Sequence, residues 1–244
     1  MRLPSSKAPS RPSDGSTPSK LREAEVYRGT ARLAPASKKN TLIRLFTDAG
    51  YAARVVRYAL GLPVPMNTED RRVLEQIIFP HFLRLPDMHR ILFVGCDWYT
   101  KHYQRMFFRD RDYWTIDVSA QSRKFGARQH ILGGLQDLDK HFAPGYFDLI
   151  FCNGVYGFGL DAAPDIERAI DMCWSRLRDN GCFVFGWDDI PARTPVPVDE
   201  IAALRRFAPL EFPEFNSSRY VTDTPYRHTY DFFTKAPGLN TPPL

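Results

Sequence analysis

Two residues of types that commonly bind a nucleoside follow two apolar segments of the chain. Gly95 comes directly after the apolar run 91–94, and Asp117 follows the run 113–116 about 20 residues later. After a strand, a glycine turn places backbone N–H groups and the positive end of the next helix beside a ligand. An acid at the end of the second strand accepts hydrogen bonds from both ribose hydroxyls. The pair therefore predicts a βαβ unit that binds an adenosine-containing ligand, with its helix over residues 100–109.

The loop after the first strand has one glycine where a pyrophosphate-binding loop has three. It consists of Gly95, Cys96, Asp97, Trp98, Tyr99 and Thr100. The side chains of Asp97 and Tyr99 would obstruct the close backbone approach that a pyrophosphate needs, and the carboxylate of Asp97 would repel it. The loop argues against a dinucleotide, and less strongly against an adenosine ligand without phosphates.

Further candidate side chains follow the later strands at the same predicted edge. Tyr156 and Phe158 lie in a glycine-rich loop after the apolar run 147–153, where they are predicted to line an acceptor pocket; ordinary packing is the alternative. Trp187 and Asp188 end the run 182–187, and Asp188 with its neighbour Asp189 could bind a metal or a substrate amine, or have a capping or exposed role. The histidines and cysteines have no zinc spacing, so we expect no resident metal.

The elements that position these side chains alternate between strand and helix patterns. The pattern predicts a basic, Ser/Pro-rich disordered tail (1–40), N-terminal helices (41–85), a Rossmann-like domain (86–236) and a frayed C-terminus (237–244). Residues 41–60 have apolar residues at helical spacing with arginines between them. Packing on the domain or covering its cleft is favoured for this helix, and resting on a membrane surface is the alternative. Residues 212–222 and 227–235 predict a closing antiparallel pair.

Charge and composition narrow the classes of function. The 244 residues have a net charge of +5, but residues 1–40 alone hold nine basic and three acidic residues, so the remainder is close to neutral. A near-neutral folded part does not favour nucleic acid as a partner. No stretch is apolar enough for a membrane span, and no signal peptide is evident, so we expect a cytoplasmic protein with four buried, free cysteines.

The order of these segments resembles the class I S-adenosylmethionine-dependent methyltransferases over about residues 73–235. Four motifs carry the resemblance: the strand and glycine loop Leu92-Phe93-Val94-Gly95-Cys96-Asp97, the acid Asp117, the fourth-strand sequence Phe147-Asp148-Leu149-Ile150, and the turn Leu177-Arg178-Asp179-Asn180-Gly181 before the fifth strand. The resemblance implies a doubly wound α/β sheet of seven strands, with the last strand antiparallel. It also implies S-adenosylmethionine as cofactor over the carboxyl ends of the first strands.

The resemblance also implies a role for individual residues. Gly95, Cys96 and Asp97 would lie beside the methionine part of the cofactor, where Asp97 could pair with its ammonium group. Asp117 would bind the ribose, Val118 would lie near the adenine, and Asn153 would face the methionine part or the substrate. Gly134 stands near the adenine at a place where the family often has an acid.

Three functions follow as hypotheses. The first is methyl transfer to a small-molecule acceptor, because Asn153-Gly154-Val155-Tyr156 lacks the Asn/Asp-Pro-Pro-Tyr/Phe motif of enzymes that methylate nucleic-acid and protein amino groups. The second is a non-catalytic partner or scaffold subunit, which the single loop glycine favours. The third, an NAD-linked oxidoreductase, is disfavoured by the missing glycines. The sequence assigns no catalytic residue, because methyl transfer from a sulfonium chiefly requires positioning of the acceptor.

Overall fold

A computed structural model describes residues 49–62, 64, 66 and 68–237 of the chain. The predicted tail (1–40), residues 41–48 of the predicted first helix and residues 238–244 of the predicted C-terminal end lie outside this part. The described residues form an α/β fold around one mixed sheet. None of its helices is long and apolar enough to cross a membrane.

The sheet has eight strands in the order β3-β2-β1-β4-β5-β8-β6, with β7 also paired to β8. The strands are β1 (Arg90–Val94), β2 (Asp112–Asp117), β3 (Gln129–Leu132), β4 (Phe147–Asn153), β5 (Leu177–Asp188), β6 (Ala208–Pro209), β7 (Arg219–Val221) and β8 (His228–Thr234). Strands β1 to β5 are parallel, and β8 is antiparallel to β5. The start of β8 therefore lies at the same edge as the ends of β4 and β5.

The strand count differs from the seven expected, although the last strand is antiparallel as predicted. One edge position beside β8 is shared by two short strands: β6 pairs with Phe233 and Thr234, and β7 pairs with residues 229–231. Between them the chain turns on itself, and the backbone N–H of Phe212 bonds to Ser217 rather than to β8. The ring of Phe212 stacks on Phe232. The backbone at Phe212 therefore turns this ring into the core and does not continue the edge strand along β8.

Helices cover both faces of the sheet. They are α1 (Ala49–Ala59), α2 (Glu69–Val73), which continues through a π-helical turn (Leu74–Ile78) into α3 (Phe79–Arg84), α4 (Tyr103–Met106) and α5 (Ala163–Arg176). The π turn precedes Pro80, which has no N–H to donate to an α-helical ladder. Apolar side chains of α2 and α3 pack on one face of the sheet, and those of α5 pack on the other.

Two predicted helices are shorter than expected. The helix expected over 100–109 is the four-residue α4, because Phe108 turns into the core and stacks on Tyr113. No long helix therefore begins at the glycine turn. Residues 198–207, for which the sequence also predicts a helix, form two 3-10 turns, Val198–Glu200 and Ala202–Arg206, and the N–H groups of Ala202 and Ala203 bond to the carboxylate of Glu167.

Candidate functional site

The turn after β1 is built on Gly95. Its φ of +81° is a conformation that side chains disfavour, and its N–H donates to Ile116 O of β2 at 3.0 Å. A Cβ at this position would lie 2.9 Å from Val155 Cγ1 and 3.1 Å from Asn153 O. Glycine is therefore required both for the backbone conformation and for the close approach of the loop after β4.

Asp117 ends β2 with both carboxylate oxygens oriented by the backbone. Oδ2 accepts from Cys96 N at 2.8 Å, and Oδ1 accepts from Ser119 N at 2.7 Å. The side chain is only half-buried, and each oxygen keeps a second lone pair. Asp117 therefore ties the glycine turn to the loop after β2 and still has acceptor sites for a ligand.

The next two loop residues differ in what they present to this edge. The Cys96 side chain is buried, and burial together with nearby Asp117 raises the pKa of its thiol to about 12, so only its backbone N–H takes part here. The Asp97 side chain lies at the surface, where Oδ1 accepts from Trp98 N at 2.6 Å. Partial desolvation and the nearby Asp117 raise the pKa of Asp97, and they outweigh the opposing effects of Trp98 N and Arg71.

An exposed apolar platform borders Asp117. Val118 is 76% exposed and Leu132, at the end of β3, is 55% exposed. Gly134 lies next to Val118 Cγ1, which would be 3.9 Å from an added Cβ, and the same Cβ would clash with the amide of Gln136. Two exposed apolar side chains therefore lie beside the carboxylate of Asp117 and offer an apolar surface to a flat ring.

Asn153 ends β4 within a buried polar chain. Its Oδ1 lies 3.0 Å from Nε2 of His228, whose Nδ1 lies 2.7 Å from Oδ1 of Asp188. All three residues are buried, and Nδ2 of Asn153 has no hydrogen-bond partner in the described part of the chain. Their places after apolar runs of the sequence identify Asn153 and Asp188 as candidates but not His228, because no local spacing relates a residue of β8 to the ends of β4 and β5.

Arg71 is a second residue that the sequence analysis does not identify. This buried guanidinium of α2 lies over the ring of Tyr99 at 4.0 Å and donates to Tyr103 Oη at 3.2 Å. Its Nε is 3.5 Å from Asp70 Oδ2 and has no hydrogen bond to any residue that the structure describes. Burial lowers the pKa of Arg71, but Tyr99, Tyr103 and Asp70 raise it well above its ordinary value. A permanent buried cation thus adjoins the loop that carries Asp97.

The predicted pocket residues lie in different environments. Tyr156 is fully buried, and its hydroxyl bonds to the Val196 carbonyl. Trp187 is also buried and donates from Nε1 to Asp231 at 2.9 Å. Phe158 is 38% exposed under the guanidinium of Arg193. Of these three, Phe158 alone presents substantial surface to solvent, and the assignment of all three to an acceptor pocket stays a prediction.

The acids after β5 are each paired. Asp188 bonds to His228, and Asp189 lies 3.1 Å from Arg227. Among the described residues, no group of three or more His, Cys, Asp or Glu side chains is arranged to hold a metal ion. The edge therefore offers hydrogen-bonding and charged groups rather than a set of metal ligands.

Helix α1 packs beside the loop after β1. Lys101 Nζ donates to Tyr58 O at 3.0 Å, Arg105 Nη1 donates to Leu60 O at 2.6 Å, and the ring of Tyr58 contacts Phe125. Burial and the charge of Asp97 raise the pKa of Tyr58. These contacts agree with the expectation that this helix packs on the domain.

No protein-family model and no curated protein matches the sequence. Among solved structures, the chain is similar to the N-methyltransferase NodS from Bradyrhizobium japonicum WM9, with a TM-score of 0.51 and 16% identity over 68% of this chain and 99% of that chain. It is also similar to a SAM-dependent methyltransferase from Archaeoglobus fulgidus, with a TM-score of 0.49 and 12% identity over 68% and 94% of the two chains. At these identities the likeness establishes the fold.

Proposed function

We propose that this chain, which has the fold of the class I S-adenosylmethionine-dependent methyltransferases, binds S-adenosylmethionine and methylates a small-molecule acceptor. The observation that carries the proposal is the carboxylate of Asp117. It stands at the end of β2, oriented by Cys96 N and Ser119 N, with a lone pair free on each oxygen. Two adjacent ribose hydroxyls are the donors that such a carboxylate matches.

The surroundings of Asp117 fit the nucleoside. Val118 and Leu132 would pack on the adenine, which would remove their exposed apolar surface from water. Gly134 leaves room beside Val118. The ribose-binding acid and the apolar platform are adjacent on β2 and β3, as one nucleoside requires.

Groups of opposite charge fit the amino-acid part of the cofactor. Arg71 is a buried cation whose Nε has no hydrogen bond to the described residues. Asp97 is an acid of the glycine turn, and the charge of Arg71 opposes the rise in its pKa. Arg71 would bind the carboxylate of the cofactor, and Asp97 would bind its ammonium group. Binding of that ammonium would lower the pKa of Asp97, which is raised in the free protein.

When bound, S-adenosylmethionine supplies an already activated methyl group, so the chain has mainly to position an acceptor and exclude water. The acids Asp97 and Asp117 at this edge also suit a ligand that carries a sulfonium charge. A small acceptor is favoured because Asn153-Gly154-Val155-Tyr156 lacks the motif for nucleic-acid and protein amino groups, and because the chain after residue 40 is nearly neutral.

A non-catalytic partner role is the second candidate, and the single loop glycine favours it. An NAD-linked activity has less support, because α4 has four residues and begins at Tyr103, so no long helix begins at the turn to receive a pyrophosphate. The two candidates differ in whether the protein binds S-adenosylmethionine.

Calorimetric titration of S-adenosylmethionine and S-adenosylhomocysteine tests the proposal. We expect micromolar binding by the wild type, and a loss of about 10- to 100-fold in Asp117→Asn, because hydrogen bonds to a charged group contribute about 1.5–3 kcal/mol. Asp112→Asn is the matched control, since this acid begins the same strand at the opposite edge and bonds to Trp114 and Tyr146.

The control variant should bind like the wild type. Failure of well-folded wild-type protein to bind either compound would exclude the enzyme hypothesis and favour a partner role. Binding of NAD in a parallel titration would instead favour the oxidoreductase.

A further inference from the structure

The buried chain Asp188–His228–Asn153 joins three strands at the candidate cofactor edge. Asp188 ends β5, His228 begins β8 and Asn153 ends β4, and the two contacts measure 2.7 Å and 3.0 Å. A Cβ on Gly186, which pairs with Asn153 across β4 and β5, would clash with Asn153 Oδ1 and lie 3.1 Å from His228 Nε2. Glycine in the middle of a buried strand thus makes room for the contact between the amide and the imidazole.

The hydrogen-bonding atoms determine the protons on His228. An ionised carboxylate can only accept, so Nδ1 donates to Asp188. The amide oxygen of Asn153 can also only accept, so Nε2 donates to it. The imidazole therefore lies between two acceptors and links the carboxylate of Asp188 to the amide of Asn153. The imidazole also contacts the aromatic ring of Tyr230 at 4.8 Å, and the backbone N–H of His228 donates to the hydroxyl of Thr224.

This arrangement fixes the amide of Asn153 in one of its two orientations. With Oδ1 held by His228, the two hydrogens of Nδ2 point away from the imidazole. Nδ2 is buried and has no partner among the described residues. A buried donor without an acceptor is destabilising, so a ligand that accepts a hydrogen bond here would remove that cost.

We propose that Asp188 and His228 are positioning residues, which hold the Asn153 amide so that Nδ2 donates to the amino-acid part of the bound cofactor. The inference rests on the proposed function. The backbone oxygen of Asn153 already lies next to Gly95, since a Cβ on that glycine would be 3.1 Å away. Asn153 therefore borders the turn that would hold the methionine part, whereas Asp117 and Val118 serve the nucleoside.

The same contacts could simply tie β4, β5 and β8 together, and the choice of ligand separates these two roles. S-adenosylhomocysteine has both the nucleoside and the amino-acid part, whereas 5′-methylthioadenosine has only the nucleoside and the sulfur. If the amide serves the amino-acid part, loss of His228 weakens binding of the first compound and spares the second. If the contacts only hold the strand ends together, loss of His228 would weaken binding of both compounds.

Calorimetry on full-length variants makes this comparison. We expect His228→Ala to bind S-adenosylhomocysteine about tenfold more weakly and 5′-methylthioadenosine like the wild type. His228→Gln should recover part of the loss, because its amide can donate to Asn153 from the position of Nε2. Asp188→Asn should resemble His228→Ala, and Asp148→Asn, which removes a buried acid at the opposite edge of the sheet, should leave the ratio of the two affinities unchanged.

Two results would overturn the inference: an equal loss for both ligands in His228→Ala, or unchanged affinity for S-adenosylhomocysteine in that variant when it is folded. If the wild type binds neither compound, the proposed function fails and the inference fails with it. ¹⁵N NMR of the histidines in the ligand-free protein provides an independent test. We expect Nε2 of His228 to carry a proton, and an unprotonated Nε2 would mean that the amide is oriented the other way.

Discussion

At the scale of single residues, Gly95 has a backbone conformation that disfavours a side chain, and the effect of adding one on stability can be measured. In Gly95→Ala, the new Cβ would meet Val155 Cγ1 at 2.9 Å in a conformation with φ of +81°. We expect the free energy of unfolding to fall by about 1–3 kcal/mol, measured by urea denaturation. Gly133→Ala is the control, because its Cβ would have only an ordinary contact with Ile131 at 3.7 Å. An equal effect in both variants would contradict this account of the turn.

The site contains residues that are close in the sequence, which could be predicted, and residues that are distant in the sequence, which could not. Gly95 and Asp117 belong to one βαβ unit, so their spacing was enough to predict that they meet, and Cys96 N does bond to Asp117. Arg71 and His228 meet this edge only through packing of α2 and pairing of β8 with β5, which no local pattern encodes. A glycine inside the strand pattern, Gly186, was the one local sign that a neighbouring side chain approaches closely.

At the scale of elements, Asp148 fastens the start of β4 to its neighbours. Its carboxylate accepts from Arg90 N at 2.7 Å, His89 N at 3.0 Å and Arg178 Nε at 2.8 Å. Burial raises the pKa of Asp148, but the hydrogen bonds from Arg90, Arg178 and His89 outweigh burial and lower it. This carboxylate therefore stabilises the fold above the unfolded-state pKa of about 4, and its contribution is lost as the pH falls through the lower folded-state value.

We therefore expect Asp148→Asn to lower the free energy of unfolding by about 2 kcal/mol at pH 7. The difference from the wild type should shrink when chemical denaturation is repeated below about pH 4, because the unfolded chain takes up the proton there and the folded protein does so at its lower pKa as the pH falls further. Asp165→Asn, at an exposed position in α5, should change the stability little at either pH. A difference for Asp148→Asn that stays constant with pH would show that its charge has no part in the stabilisation.

The elements also show where sequence patterns were sufficient. The continuous apolar run of β4 predicted a strand buried on both faces, and all seven of its residues are buried. The sequence predicted the start of β5 less accurately. The residues around Asn180 are typical of a turn between a helix and a strand, but β5 already begins at Leu177. The stretch after Thr100 has helical spacing, but burial of Phe108 against Tyr113 limits α4 to one turn.

At the scale of the whole molecule, the four cysteines test how well the core excludes solvent. All four are free and buried, as the sequence predicted. Burial raises the pKa of Cys96 and Cys152 to about 12 and that of Cys182 to about 11, and it raises the pKa of Cys173 well above its ordinary value. Since the thiolate is the reactive form, we expect no fast reaction with a disulfide reagent at pH 8 in the native state.

All four thiols should react once guanidinium unfolds the protein. A single fast thiol in the native protein would mean that one side of the sheet opens to solvent. The alternation of strands and helices predicted parallel strands, and the resemblance to the class I methyltransferases implied the antiparallel last strand. It did not predict the divided edge position of β6 and β7, because that depends on the ring of Phe212 packing on Phe232.

A crystal structure of the protein with S-adenosylhomocysteine is the most direct test of the central claim. We expect the ribose hydroxyls within hydrogen-bond distance of the Asp117 carboxylate, and the adenine packed on Val118 and Leu132. Crystals grown with the compound that show it elsewhere, or that show none at this edge of the sheet, would contradict the assignment of the cofactor site.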